Sequence, residues 1–217
     1  MITLHYYPSN ASFAPHVLLH ELGVPFELAL VDREHGAHKS PEYLALNPNG
    51  LIPVLVDGGL VLYETAAVLM HLADAHPAAG FAPPLASAER AHYYKWMLWL
   101  SNTMQAALIH YFYPERMVDD GNADGVAQVG AHAEAKVAAC LVQLDAQLAR
   151  HGGDWLLGTD CSAADPLAFM LCRWTRGFKR QRPARDYAHI GPYLQRMLAR
   201  PAVQRAVATE KLRPPIV

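Results

Sequence analysis

Residues 47–65 read NPNGLIPVLVDGGLVLYET, and this stretch decides the fold. Residues 52–56 form an apolar strand and 60–63 a second, joined by Asp57-Gly58-Gly59. A DGG between two β-rich runs predicts a hairpin, and Glu64-Thr65 then opens a helix. Proline has no N–H for a ladder and belongs at a strand's first residue, an edge or a bulge. Pro53 at the head of a buried strand therefore needs a reason. A cis Ile52–Pro53 bond is one, since an X-Pro pair gives up only about 0.5–1 kcal/mol to be cis. It would turn the Ile52 N–H and C=O away from the sheet, free to pair with an extended peptide. The free N–H groups and positive dipole end of the helix at Glu64-Thr65 suit a carboxylate. A short peptide with one free carboxylate end fits across both features; an ordinary hairpin with a trans proline is the plainer alternative.

Upstream, residues 2–7 alternate and are aromatic-rich, which predicts a strand. Pro8-Ser9-Asn10-Ala11-Ser12 is a turn full of helix-capping residues, and 14–22 a helix closed by Gly23. Residues 25–31 predict a second strand, 32–40 a polar loop, and 41–44 a short helix with Pro41 at its first position. Downstream of the hairpin, 65–75 keeps helical spacing. The order βαβ then ββα implies an α/β unit over 1–76.

Composition shifts at HPAAGFAPP, so 77–85 is the best linker and 86–217 a separate domain. Beyond it the patterns are helical: 86–113, 126–150, 166–178, 190–199 and 202–210. Ser162 with Asp165 three residues on is a capping box. Pro166 loosens it by biasing Asp165 away from the α region. Starting a buried helix is its expected role.

The chain has 217 residues and a net charge of -2, with no basic stripe, which argues against nucleic acid. No apolar run reaches the roughly 18 residues of a membrane span, and MITLHYYP has no leader pattern. Cys140, Cys161 and Cys172 show neither CxxC nor zinc spacing, which fits a reducing cytoplasm and no metal.

With these pieces in place, the chain resembles the cytosolic glutathione transferases over essentially its whole length. The resemblance rests on Pro41-Glu42-Tyr43-Leu44 before Asn47-Pro48-Asn49-Gly50, then Ile52-Pro53-Val54-Leu55, Tyr63-Glu64-Thr65, and Trp155-Leu156-Leu157-Gly158 before Ser162-Ala163-Ala164-Asp165. Pro8, the run Ser12-Phe13-Ala14-Pro15-His16 and Arg173-Trp174 are most similar to the bacterial beta class. The resemblance implies a thioredoxin-like N-terminal domain, an all-α C-terminal domain, a cytoplasmic homodimer and glutathione as co-substrate. It implies an enzyme conjugating the glutathione thiol to small hydrophobic electrophiles, the chemistry of detoxification. Leu51, the Ile52 backbone and Pro53 would then hold the cysteinyl part, Glu64 and Thr65 the γ-glutamyl end, and His38 with Lys39 the glycyl carboxylate.

The chemistry needs a thiolate, and a free thiol of pKa about 8.5 is mostly protonated at pH 7. The position of the family's catalytic cysteine or serine falls on Ala11. Ser12 is the first choice to donate to the sulfur, with Ser9, Asn10 and the Ala11 N–H next and Tyr6 a further candidate. Without that cysteine, conjugation leads over disulfide reduction or peroxidase chemistry. A non-catalytic partner-binding module of the same fold is the reading from another class. The acceptor substrate is expected between the domains, against Met104, Leu108, Tyr111, Tyr113, Arg116, Trp174 and Phe178.

Overall fold

A computed structural model describes residues 1–217, the side chain of His151 excepted. The chain forms two compact units, Met1–Pro83 with Leu198–Arg213, and Pro84–Met197 with Pro214–Val217. The first differs from an α/β unit over 1–76 alone, because the last helix joins it.

In the first unit, β1 (Ile2–Tyr6) lies parallel to β2 (Phe26–Leu30) and antiparallel to β3 (Val54–Asp57), which pairs with β4 (Leu60–Tyr63), giving the order β2-β1-β3-β4. A parallel pair needs a crossover, supplied by α1 (Phe13–Leu22), which ends on Gly23 at φ 66. The short α2 (Pro41–Leu46) is capped by Ser40, whose side chain accepts from Tyr43 N–H. The hairpin β3–β4 leads into α3 (Thr65–Ala75). This is the expected thioredoxin-like arrangement. Leu4, Phe13, Val17, Leu55, Leu69 and Leu72 are fully buried and form its core.

Register places the functional loops together. His5 sits opposite Val54, Val54 opposite Tyr63, and Tyr6 opposite Leu30. The turn after β1, the segment after β2, the approach to β3 and the exit from β4 therefore share one end of the sheet.

The second unit is helical, with α4 (Ala88–Trp99), α5 (Ala106–Phe112), α6 (Ala123–His151), α7 (Ala164–Trp174) and α8 (Ile190–Ala199). The helix expected over 86–113 is interrupted by a π-helical segment, Leu100–Gln105. No Pro or Gly marks it in the sequence, so periodicity alone reads straight through. α6 begins before the expected 126 because Asn122 caps it, accepting from Gly125 N–H at 2.8 Å. α7 stops at Trp174 instead of running to 178, and Thr175–Gly177 tightens into a 3-10 turn. The final α9 (Pro201–Thr209) belongs to the first unit, where Arg200 makes a bidentate pair with Glu21 of α1 and Arg205 donates to the His20 carbonyl. Among the described residues no helix is long and apolar enough to cross a membrane.

The Ser162–Asp165 box is half reciprocal. Asp165 Oδ2 accepts from Ser162 N–H at 2.7 Å, but Ser162 Oγ accepts from Ala164 N–H at 3.3 Å and not from Asp165. Asp165 is also a hub, its Oδ1 accepting from Leu156 N–H at 2.9 Å and Tyr193 OH at 3.1 Å. Burial pushes its carboxyl pKa up, while these donors pull it down.

Candidate active site

The site is assembled from backbone before side chains. The Ile52–Pro53 peptide bond is cis, and Ile52 is buried against Val31, Tyr43 and Val54. Leu51, by contrast, is 56% exposed; its carbonyl accepts from Tyr43 OH and from the buried Asn47 Nδ2, each at 2.8 Å. These bonds fix the approach to β3. Among the described residues neither the N–H nor the C=O of Ile52 has a hydrogen-bond partner. An unmade backbone pair beside a well-ordered sheet is costly unless water or a ligand completes it.

At the exit from β4, Glu64 has φ 72, a left-handed conformation that is strained for a residue with a side chain. No side chain caps the N-terminus of α3, and its first turn carries no acid. Thr65 is buried there and Glu64 exposed. The N–H groups of a first helical turn have no intrahelical acceptor, so this end is open to a carboxylate.

On the loop after β2, Lys39 reaches the Asn49 carbonyl with its Nζ at 3.3 Å. That contact lies on Gly50, whose φ is +62 and where an added Cβ would stand 2.7 Å from Lys39 Nζ and 2.8 Å from the His38 carbonyl. Burial lowers the pKa of His38, with Lys39 and Arg33 adding to it, and its Nδ1 is buried without a partner among the described residues.

The turn 8–12 departs from expectation. Ser12 is fully buried, and its hydroxyl donates to the Tyr7 carbonyl at 3.1 Å while accepting from Tyr7 N–H at 3.2 Å. A hydroxyl has one proton, so Ser12 staples the end of β1 and has none left for a sulfur. It is not a side-chain cap either. The Ser9 N–H is likewise committed, donating to Glu210 Oε2 at 2.8 Å, with Ser9 at φ 64. The Ala11 N–H donates to Asn10 Oδ1 at 2.6 Å. The Asn10 side-chain Nδ2 and the Ser12 backbone N–H have no partner among the described residues, and of these Asn10 supplies the uncommitted side-chain donor.

Tyr6 is half-buried beside His16, ring centroids 6.2 Å apart, and burial together with the Glu210 carboxylate raises its phenol pKa. His16 closes the run Ser12–His16, but Glu210 carries no motif that singles it out. His16 Nδ1 is 2.9 Å from Glu210 Oε1, and both side chains are fully buried.

In the second unit, Met104 and Leu108 are fully buried, so they are core residues and offer no surface to a substrate. Their spacing on the helix is that of a core stripe. The aromatics remain partly exposed. Tyr111 and Phe178 have ring centroids 4.7 Å apart, Trp174 meets Phe112 at 6.2 Å, and Arg116 lies 3.9 Å over the Tyr113 ring. Phe112 was not expected in this group. Among the described residues, no cluster of three or more His, Cys, Asp or Glu is placed to hold a metal ion.

Comparison with known proteins gives a consistent result. Residues 8–75 match the model of the glutathione S-transferase N-terminal domain, and 110–210 that of the glutathione S-transferase C-terminal domain. The chain is similar to glutathione S-transferase 3 of Zea mays, 35% identical over 91% of this chain and 89% of the relative. It is also similar to glutathione S-transferase GST-4.5 of Xanthomonas campestris, 30% identical over 94% and 97%. Among solved structures it is similar to a glutathione transferase homologue from sulfitobacter with bound glutathione, with TM-score 0.86 and 28% identity, covering 98% of this chain and 99% of the other. The beta class glutathione S-transferase of Sphingomonas chungbukensis gives TM-score 0.80 and 28% identity over 97% of this chain and 100% of the other.

Proposed function

This chain belongs to the glutathione S-transferase family, and we propose that it binds glutathione at the shared end of its sheet and conjugates the thiol to small hydrophobic electrophiles. The observation that carries the reading is the unpaired Ile52 backbone beside the open N-terminus of α3. The cysteinyl N–H and C=O of glutathione complete the Ile52 pair, alongside Leu51 and Pro53. The γ-glutamyl carboxylate takes the N–H groups of Thr65 and the residue after it, and Glu64 faces the γ-glutamyl ammonium. His38 and Lys39 meet the glycyl carboxylate.

In the reaction the thiol proton passes to water and the sulfur attacks the electrophilic carbon. The C–S bond forms as the leaving group departs with its bonding electrons. A hydrogen-bond donor held at the sulfur favours the thiolate and lowers its pKa. Asn10 Nδ2 fills that role, with the N-terminal end of α1 behind it and Ser9 and Ala11 shaping the turn. Tyr6 is the second candidate. Tyr111, Tyr113, Arg116, Trp174 and Phe178 form the acceptor wall. By the same reading the protein works as a homodimer, which sedimentation would check.

Calorimetric titration with glutathione, followed by a conjugation assay with chlorodinitrobenzene, tests the reading. Binding in the millimolar range or tighter with conjugate formed is expected. Absence of both would remove the assignment.

A further inference from the structure

The segment that follows α7 carries a charge density that conjugation to a neutral electrophile leaves unused. Arg176, Lys179, Arg180, Arg182 and Arg185 fall within ten residues that contain no Asp or Glu, in a chain of net charge -2. Such a run is ordinarily a solvated face, but this one is built. Glu134, 3% exposed, accepts on its single oxygen Oε1 from the N–H groups of Lys179, Arg180 and Gln181, at 3.0, 2.8 and 2.9 Å. Further along, Thr175 Oγ1 donates to the Cys172 carbonyl at 2.7 Å and accepts from Ala184 N–H at 2.8 Å. Both bonds hold the backbone while Lys179, Arg180 and Arg182 stay exposed.

The cations are unevenly occupied. Arg182 stacks 3.7 Å over the Tyr187 ring, and Arg185 stands 3.8 Å from Asp186. Arg176, half-buried, gives Nη1 to the Arg173 carbonyl at 3.0 Å. Among the described residues the side chains of Lys179 and Arg180 have no partner, and none of Arg176, Lys179 and Arg180 pairs with a carboxylate. The one acid at the centre, Glu134, is turned inward onto amide N–H groups. Between Arg176 and Lys179 sits Phe178, whose ring meets Tyr111 at 4.7 Å. The pinned backbone thus sets Phe178 in sequence between Arg176 and Lys179, cations without a carboxylate partner among the described residues. Burial and then the buried Glu134 carboxylate raise the pKa of the Tyr111 phenol.

We propose that the electrophiles this enzyme takes are aromatic anions, the ring lying against Tyr111 and Phe178 and the negative group met by Arg176, Lys179 and Arg180. The proposal rests on the reading of these aromatics as the acceptor wall. An arginine beside an aromatic face offers both a flat contact and a donor fork for a carboxylate or sulfonate. Neutral aromatic electrophiles use only the first.

A matched pair tests it: a chlorodinitrobenzoate anion and the neutral chlorodinitrobenzamide, each rate divided by its uncatalysed rate with glutathione. In both, sulfur bonds to the ring carbon, chloride leaves with the C–Cl electrons, and the thiol proton goes to water, so only the remote charge differs. The kcat/KM ratio of anion to amide should be about tenfold at low salt, the scale of one charge-assisted hydrogen bond. It should shrink as ionic strength rises and fall towards unity in the Lys179→Ala/Arg180→Ala variant. Binding of unreactive dinitrobenzoate, read by tryptophan fluorescence, separates this proposal from the transferase reading. Binding that weakens in the variant, with neither electrophile converted, would keep the anion site and remove the activity. An amide converted as well as the anion, with no salt dependence, would overturn the anion site and keep the activity. No binding and no conversion would overturn both.

Discussion

The Ser9 N–H donates to Glu210 Oε2 at 2.8 Å across 201 residues of chain, so the residue after α9 holds the turn after β1. The other carboxylate oxygen meets His16 Nδ1 at 2.9 Å inside α1. One buried acid therefore fixes both the left-handed Ser9 and the helix that follows it. Removing it strands His16 in a fully buried site and the Ser9 N–H in a part-buried one. Glu210→Ala should cost about 3 kcal/mol in urea unfolding and raise KM for glutathione, because the turn carrying Asn10 loosens. Glu210→Gln keeps an acceptor and should lose about half as much. An unchanged unfolding midpoint in the alanine variant would mean that the pair holds nothing.

Asn10 and Ser12 separate by readout. A donor at the sulfur stabilises the thiolate and lowers the pKa of bound glutathione. Asn10→Ala should therefore raise that pKa, shift the pH–rate profile upward, and cut kcat by about 10–100-fold. Ser12→Ala removes both bonds to Tyr7 in a dry site and should cost about 1–3 kcal/mol of stability, with the bound thiol pKa unmoved. The reverse pattern would return the sulfur to Ser12.

How much was legible follows from the range of each interaction. The hairpin, the Gly23 cap and the α3 start are local devices, and their residues announce them. Ser12 beside a turn reads as a donor equally well whether its proton points out or back to Tyr7, because that choice depends on packing around a fully buried hydroxyl. Glu210 and Glu134 act across long separations, and no spacing rule singles them out. Met104 and Leu108 sit on one helix stripe with Tyr111, and periodicity cannot separate a core position from a wall.

Gly50 is required by its surroundings. Its φ of +62 disfavours any side chain, and a Cβ would press on the His38 backbone at 2.8 Å. The Lys39 amine can move aside, but a carbonyl in a 3-10 turn cannot do so freely. Gly50→Ala should cost about 1–3 kcal/mol and weaken glutathione binding by displacing the His38–Lys39 loop. Thermal unfolding and a glutathione titration measure the two effects.

Thr65 stands at the N-terminus of α3, which we propose receives the γ-glutamyl carboxylate. Thr65→Ala removes its hydroxyl donor but keeps the backbone N–H, so affinity should fall about tenfold, the scale of a hydrogen bond to a charged group. Retention on immobilised glutathione should be lost while the unfolding midpoint changes little. Unaltered retention would place the carboxylate elsewhere.

His20 gives the protein an acid limit. Its ring lies between His16 and Phe26, each centroid 5.0 Å away, and its Nε2 is buried without a partner among the described residues. Burial, with His16 and Arg205 adding to it and Glu21 opposing, lowers its pKa from 6.5 to about 4. The unfolded chain thus binds a proton between these values that the folded chain does not. Stability contributed by neutral His20 is present above pH 6.5 and is lost as pH falls towards 4. The ring is partly open to solvent, so the loss should be on the order of 1–2 kcal/mol, less than the full shift implies. Urea midpoints at the two ends of this range should differ in the parent protein and differ less in His20→Gln, which cannot titrate. An equal slope in both would assign the acid limit to another group.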